Sequence, residues 1–140
     1  MKFFSWFEDL TCDGKTTYQL SRSIPSGTIS SPGFPRVANY RNTLNCQWLI
    51  RAPFGQRIVI YFTAFDLEDC GSCSCNNVTI FNGSSTRQPH LAKYCGRALP
   101  KPVFSSANEM LVTFQSDGSG SFGGFQLIYS ALTRSSSTFI

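Results

Sequence analysis

Cys46-Gln47-Trp48-Leu49-Ile50-Arg51-Ala52-Pro53-Phe54-Gly55-Gln56-Arg57-Ile58-Val59-Ile60-Tyr61-Phe62 reads as two strands and the turn between them. Side chains alternate between the two faces of a strand, so every second residue shares a face. Cys46, Trp48 and Ile50 then lie together, as do Ile58, Ile60 and Phe62. The apolar period is two, which argues strand and not helix. Pro53-Phe54-Gly55-Gln56 supplies the turn, with proline fixing φ and glycine open to positive φ.

The same alternation recurs along the chain. Val78 and Ile80 share a face in a run that stops at Asn82-Gly83, a favoured turn dipeptide. Leu91 to Cys95 is a short strand; Met110, Val112 and Phe114 alternate, and so do Phe125, Leu127 and Tyr129. Gly27-Thr28-Ile29-Ser30-Ser31-Pro32-Gly33-Phe34-Pro35 is a short strand broken by two prolines. Residues 1–23 show no pattern and are expected to be irregular. No ten-residue window carries an amphipathic helix, and no internal repeat is present. The expected fold is all-β, a two-sheet antiparallel sandwich of about eight strands with alternate residues turned inward.

Composition agrees with one small domain. The chain has 140 residues, 13 of them phenylalanine, and only 14% are charged, against about 25% in an average domain. The net charge of +4 comes from scattered basic residues with no run, too little for a nucleic-acid footprint. No apolar run approaches the roughly 20 residues that span a membrane. Six cysteines are the even count of an extracellular disulfide framework and leave many pairings open. Cys70, Cys73 and Cys75 cluster, but a structural zinc site needs a further Cys or His pair. Cys12, Cys46, Cys95 and the sole histidine, His90, are dispersed, so the disulfide reading leads. Met1-Lys2-Phe3-Phe4-Ser5-Trp6-Phe7 starts like a signal peptide, but Glu8 and Asp9 end the apolar run early. The chain is therefore expected to be a piece of a longer secreted or cell-surface protein, or to carry a non-native start.

An ordered set of motifs runs through these strands: Gly27-x-Ile29-x-Ser31-Pro32-x-Phe34-Pro35, Tyr40, Cys46-x-Trp48-x-Ile50, Phe65-x-Leu67-Glu68, Asn76-x-Val78-x-Ile80-x-Asn82-Gly83, Cys95-Gly96, Phe114-x-Ser116-Asp117 and Gly124-Phe125. In this order they resemble a CUB domain over roughly residues 24–131, with Cys12 as the first cysteine. The resemblance implies an extracellular, jelly-roll-like β-sandwich that binds proteins or glycans and has no catalysis of its own. It divides the chain into an irregular segment 1–11, the domain 12–131, and a linker or tail 132–140. It also implies the disulfides Cys12–Cys46 and Cys73–Cys95, which leaves Cys70 and Cys75 to pair across a short loop.

Many CUB domains hold calcium at one end of the sandwich. The resemblance places the ligands here on Glu68, Asn76, Asp117 and the Ser119 carbonyl, with Tyr40 supporting the glutamate. Asn76 stands where the family has an aspartate. Its amide still offers a carbonyl oxygen, which calcium accepts, but one formal charge is gone and a weak site is expected. Asp66 and Asp69 lie near enough in sequence to compensate.

The expected function is a non-catalytic module that takes a partner's Lys or Arg side chain at Glu68, Asp117 and Tyr40, with calcium fixing the end. The alternative is a glycan- or heparin-binding adhesive module that uses Arg36, Arg41, Arg87, Lys93 and Arg97, or a spacer between other domains. No nucleic acid and no membrane insertion are expected. His90, in a turn-like Arg87-Gln88-Pro89-His90 stretch with no acid nearby, does not support a catalytic triad. Asn77-Val78-Thr79 and Asn82-Gly83-Ser84 are N-glycosylation acceptors; Asn77 is expected to point away from the face that carries Asn76 and Val78.

Overall fold

A computed structural model describes residue 12 and residues 14–35, 38–39, 43–117 and 121–133. Tyr40, Ser119, Arg36 and Arg41 lie outside the described residues. Eleven strands follow one another there: β1 (Lys15–Gln19), β2 (Ser26–Ser30), β3 (Ala38–Asn39), β4 (Leu44–Arg51), β5 (Arg57–Asp66), β6 (Asn77–Phe81), β7 (His90–Tyr94), β8 (Val103–Phe104), β9 (Glu109–Ser116), β10 (Ser121–Phe122) and β11 (Gly124–Leu132). They form a five-stranded sheet in the order β1-β4-β9-β6-β7, a four-stranded sheet in the order β2-β11-β5-β8, and a small β10-β3 ladder.

The two main sheets bury the faces that the sequence alternation marks. Trp48, Ile58, Ile60, Phe62, Val78, Ile80, Val112, Phe114 and Leu127 are all in the core. Aromatic rings tie the sheets together across it. Phe125 on β11 meets Phe114 on β9 at 5.3 Å between centroids and Trp48 on β4 at 5.9 Å, both edge to face. That is the geometry aromatic quadrupoles favour.

Three points differ from the sequence reading. Residues 1–23 include a strand, β1, and it runs parallel to β4. Lys15-Thr16-Thr17-Tyr18-Gln19 has no apolar alternation because only Tyr18 turns inward, where its ring lies 5.6 Å from that of Tyr129. The Cys12–Cys46 disulfide fixes the chain beside β4 just before β1 begins, which lowers the entropy lost on pairing. Second, His90 opens β7 and lies edge to face on Phe81, so it is a strand residue and not part of a turn. Third, there are more strands than expected, because β3, β8 and β10 are two-residue ladders too short to show a period.

Gly27 is required by a close approach. It pairs with Tyr129 across β2 and β11, and a Cβ there would run into the Tyr129 phenol. Burial raises the phenol pKa of Tyr129, and the neighbouring Tyr18 adds to the rise. Burial also raises that of Tyr94.

Candidate functional site at the acidic end of the sandwich

β5 ends at Asp66, and Leu67 then turns its side chain into the core while its N–H donates to the Gly96 carbonyl at 2.9 Å. Glu68 follows on the half-buried rim. The chain next makes a tight loop: Gly71, Ser72 and Cys73 all have positive φ, at 100°, 54° and 56°. Left-handed backbone is ordinary for glycine and strained for serine or cysteine. Two disulfides hold this loop, Cys70–Cys75 within it and Cys73–Cys95 between it and the end of β7. The Asp69 carboxylate accepts the Gly71 N–H at 2.9 Å, and the Gly71 carbonyl accepts the Ser74 N–H at 3.2 Å.

The loop delivers Glu68 to Asp117, which stands just past β9. One carboxylate oxygen of each and the Sγ atoms of Cys70 and Cys75 all lie within 4.8 Å of one another. The sulfurs are joined to each other, so the ionisable ligands are the two carboxylates. Like charges this close repel by roughly 1–3 kcal/mol, depending on the local dielectric. A cation between them would turn that repulsion into attraction.

Asn76 lies beneath, 1% exposed. Its Oδ1 accepts the Asp117 backbone N–H at 3.2 Å, which fixes the orientation of the amide. Its Nδ2 is buried and has no hydrogen-bond partner among the described residues. An aspartate would offer a second oxygen at that position; asparagine offers N–H. The fit to calcium is therefore divided. Glu68 and Asp117 suit a hard cation, the Asn76 carbonyl has a lone pair to spare, and its amide nitrogen opposes a positive charge.

The nearby acids do not make up the difference. Asp66 is engaged by Arg97 at 3.1 Å and by the Gly123 N–H at 3.2 Å, and Asp69 is turned to its own loop. The basic residues are distributed: Arg97 lies at Asp66, Arg87 is exposed, and Lys93 lines a groove on the outer face of the five-stranded sheet. Asn77 lies on that outer face, opposite in direction to Val78 in the core, and is itself 6% exposed. Asn82 bonds Ser106 twice, donating to its hydroxyl at 2.6 Å and accepting its N–H at 3.1 Å. The groove is the feature that sequence reasoning missed; the signal for it is the uncharged polar set at alternate positions of β4, β6 and β9.

Comparison with known proteins agrees with this architecture. The CUB domain family model matches residues 12–129. Cubilin of Canis lupus familiaris is 38% identical over 108 residues, covering 77% of this chain and 3% of that protein. The full extracellular region of zebrafish Gpr126/Adgrg6 superposes with a TM-score of 0.70 at 31% identity, over 88% of this chain and 15% of that one. The MASP-1 CUB2 domain, solved bound to Ca2+, superposes with a TM-score of 0.67 at 26% identity, over 85% of this chain and 98% of that one. The chain thus spans a small part of the curated relative it matches, and it is an extracellular module. Among the described residues no helix is long and apolar enough to cross a membrane. With its two facing sheets, three disulfides and matched length, this chain belongs to the CUB domain family.

Proposed function

We propose that the chain is a non-catalytic protein-interaction module whose acidic end receives a Lys or Arg side chain from an extracellular partner. The observation that carries this reading is the convergence of a Glu68 and an Asp117 carboxylate oxygen within 4.8 Å, Glu68 leading into a loop braced by two disulfides and Asp117 standing just past β9. Glu68 and Asp117 accept hydrogen bonds from the incoming cation. Charge-assisted bonds of this type are short and roughly twice as strong as neutral ones. The disulfides brace the loop that follows Glu68, and Asn76 holds the Asp117 backbone N–H, so little ordering entropy is lost on contact.

The same residues hold calcium weakly in this reading: Glu68 and Asp117 through carboxylates and Asn76 through its carbonyl, with Ser119 and Tyr40, which lie outside the described residues, as the remaining members of the proposed set. Bound calcium would supply positive charge that offsets the repulsion between the acids and fixes their orientation. The calcium-bound MASP-1 CUB2 domain supports calcium binding by a domain of this fold, and the Asn76 amide limits its strength here.

The test is a titration of the purified domain with a short lysine peptide, read by NMR shifts around Glu68 and Asp117. Binding should weaken with salt, because exposed charges are screened over about 8–10 Å at physiological ionic strength. It should also weaken in chelator and vanish in Asp117→Ala. Retention on heparin that ignores both chelator and Asp117→Ala, with no response to the peptide, would instead favour the basic-residue glycan reading.

A further inference from the structure

The outer face of the five-stranded sheet is arranged in cross-strand rows. Asn45, Gln115 and Asn77 pair across β4, β9 and β6, and Gln47, Thr113, Thr79 and Lys93 form the next row out to β7. Thr79, Thr113 and Asn77 are sunk to near-complete burial, and the side chains around them rise to enclose a groove of about 480 Å³. That lies in the size range of small-ligand clefts. A second concavity of about 290 Å³ shares Asn45, Asn77 and Gln115 with the first and reaches Asp117. Asn77 stands where the two meet.

Most of the lining is amide and hydroxyl, groups that both donate and accept hydrogen bonds. Phe81 and His90 present aromatic rings at one side, and Lys93 brings a positive charge to the lining. This chemistry fits a neutral, hydroxyl-rich ring with an apolar face, which describes an N-acetylhexosamine. Asn77 is also the acceptor of the Asn77-Val78-Thr79 sequon. We propose that the groove is the seat of a saccharide carried by Asn77 itself.

The local bonds are compatible with the linkage. Nδ2 of Asn77 donates to the Cys73 carbonyl at 3.4 Å, and Oδ1 accepts the Thr79 hydroxyl at 2.9 Å. A glycosylated amide keeps its oxygen and one N–H, so both contacts survive. The attachment takes place on the extended chain, before strand pairing buries the side chain. The amide nitrogen attacks C1 of a lipid-linked diphospho-oligosaccharide, the C1–O bond breaks, the lipid diphosphate leaves with the electron pair, and one amide proton passes to a base of the transferase. Once the sheet forms, an asparagine only 6% exposed has no freedom to swing its sugar into solvent. The first ring must lie against the lining. This covers the outer face of the sheet and leaves the acidic rim as the open binding surface.

The experiment uses the protein secreted from glycosylating cells. Peptide mapping before and after amidase release should find Asn77 occupied. Trimming to a single N-acetylglucosamine should leave the melting temperature in place, and protein made with glycan transfer blocked, which keeps asparagine at position 77, should melt roughly 4 °C lower. Gln47→Ala and Gln115→Ala should lower it in the glycosylated protein but not in Asn77→Gln. If Asn77→Gln does not fold, wild type and Gln115→Ala made with glycan transfer blocked give the same comparison. Finding Asn77 unmodified overturns the proposal. So does an occupied Asn77 whose removal, or whose lining substitutions, change nothing that depends on the sugar.

Discussion

Asn76 and Asn77 are neighbours in the chain and belong to two different constructions. Asn76 supports the acidic end, which is built from a loop with three consecutive positive-φ residues and two disulfides. Asn77 opens β6 and supports the groove, whose floor on β4, β9 and β6 stands on strands in continuous register. The groove takes its rigidity from ladder hydrogen bonds and from the core packed beneath the sheet. The acidic end has neither on its open side and takes its rigidity from covalent bonds. A surface carried on strands should tolerate side-chain changes, and one carried on this loop should depend on its cysteines.

The largest expected effect lies beneath the groove and not in it. Phe114 and Gln115 are adjacent on β9, one fully buried and one exposed. Phe114→Ala should destabilise by about 3–5 kcal/mol, and Gln115→Ala in protein without glycan should stay within about 0.5 kcal/mol. Urea unfolding of both variants checks this. Similar losses for the two would break the claim that the strands, and not the lining, hold the groove.

The disulfides come next. Cys73–Cys95 closes a separation of 22 residues and Cys70–Cys75 one of 5. On the loop-entropy model, replacing the first pair by serine costs about 3 kcal/mol and the second about 2. Both losses should appear in chemical denaturation. Amide exchange at residues 68–76 should rise in either variant while β4 and β9 stay protected. Uniform loss of protection would show that loop and sheet form one cooperative unit, and the contrast between them would fail.

A pH ramp probes the core that both regions share. Burial raises the pKa of the Tyr94 and Tyr129 phenols, so the unfolded chain releases these protons first, near pH ~10. Their contribution to stability is complete below that pH and is lost as pH rises through the folded values. Alkaline melting should therefore unfold sheet and loop together, and Tyr129→Phe should flatten the decline above pH ~10. A decline that is identical in Tyr129→Phe would rule that phenol out as a source.

The features legible in the sequence were those with a period. Alternation at Trp48, Ile60, Val112 and Leu127 marks the inner faces, and one-residue steps from them mark the outer ones. β1 was illegible because a strand that buries only Tyr18 has no period to read; its place depends on β4 and on Cys12. Glu68 and Asp117 were legible through the order of motifs around them, and Asn76 as a departure from that order. Its amide orientation was not legible, because it depends on the Asp117 backbone N–H, distant in sequence. The burial of Asn77 was hidden for the same kind of reason: it is produced by side chains of β4 and β9 across the sheet.

The smallest effect is the one that decides the acidic end. A ligand that binds only the folded state stabilises by RT ln(1 + [L]/Kd). For an extracellular-module site of about 10⁻⁴–10⁻³ M, calcium at about 2 mM stabilises by roughly 0.5–2 kcal/mol. The weaker half of that range is expected here, because Asn76 contributes no charge and has a buried N–H where an aspartate would have a second oxygen. The melting temperature should then rise by roughly 2–4 °C. Asn76→Asp turns the unpartnered nitrogen into a carboxylate oxygen while the other oxygen keeps the Asp117 N–H, so its shift with calcium should be larger. In chelator the same variant should be less stable than wild type, because a third negative charge then joins Glu68 and Asp117 with no cation among them. Asp117→Ala should show no calcium shift. Scanning calorimetry of the three proteins with and without calcium reads all of these signs. If Asn76→Asp is indifferent to calcium, the two carboxylates do not form a metal site, and the acidic end must recognise a basic side chain without calcium.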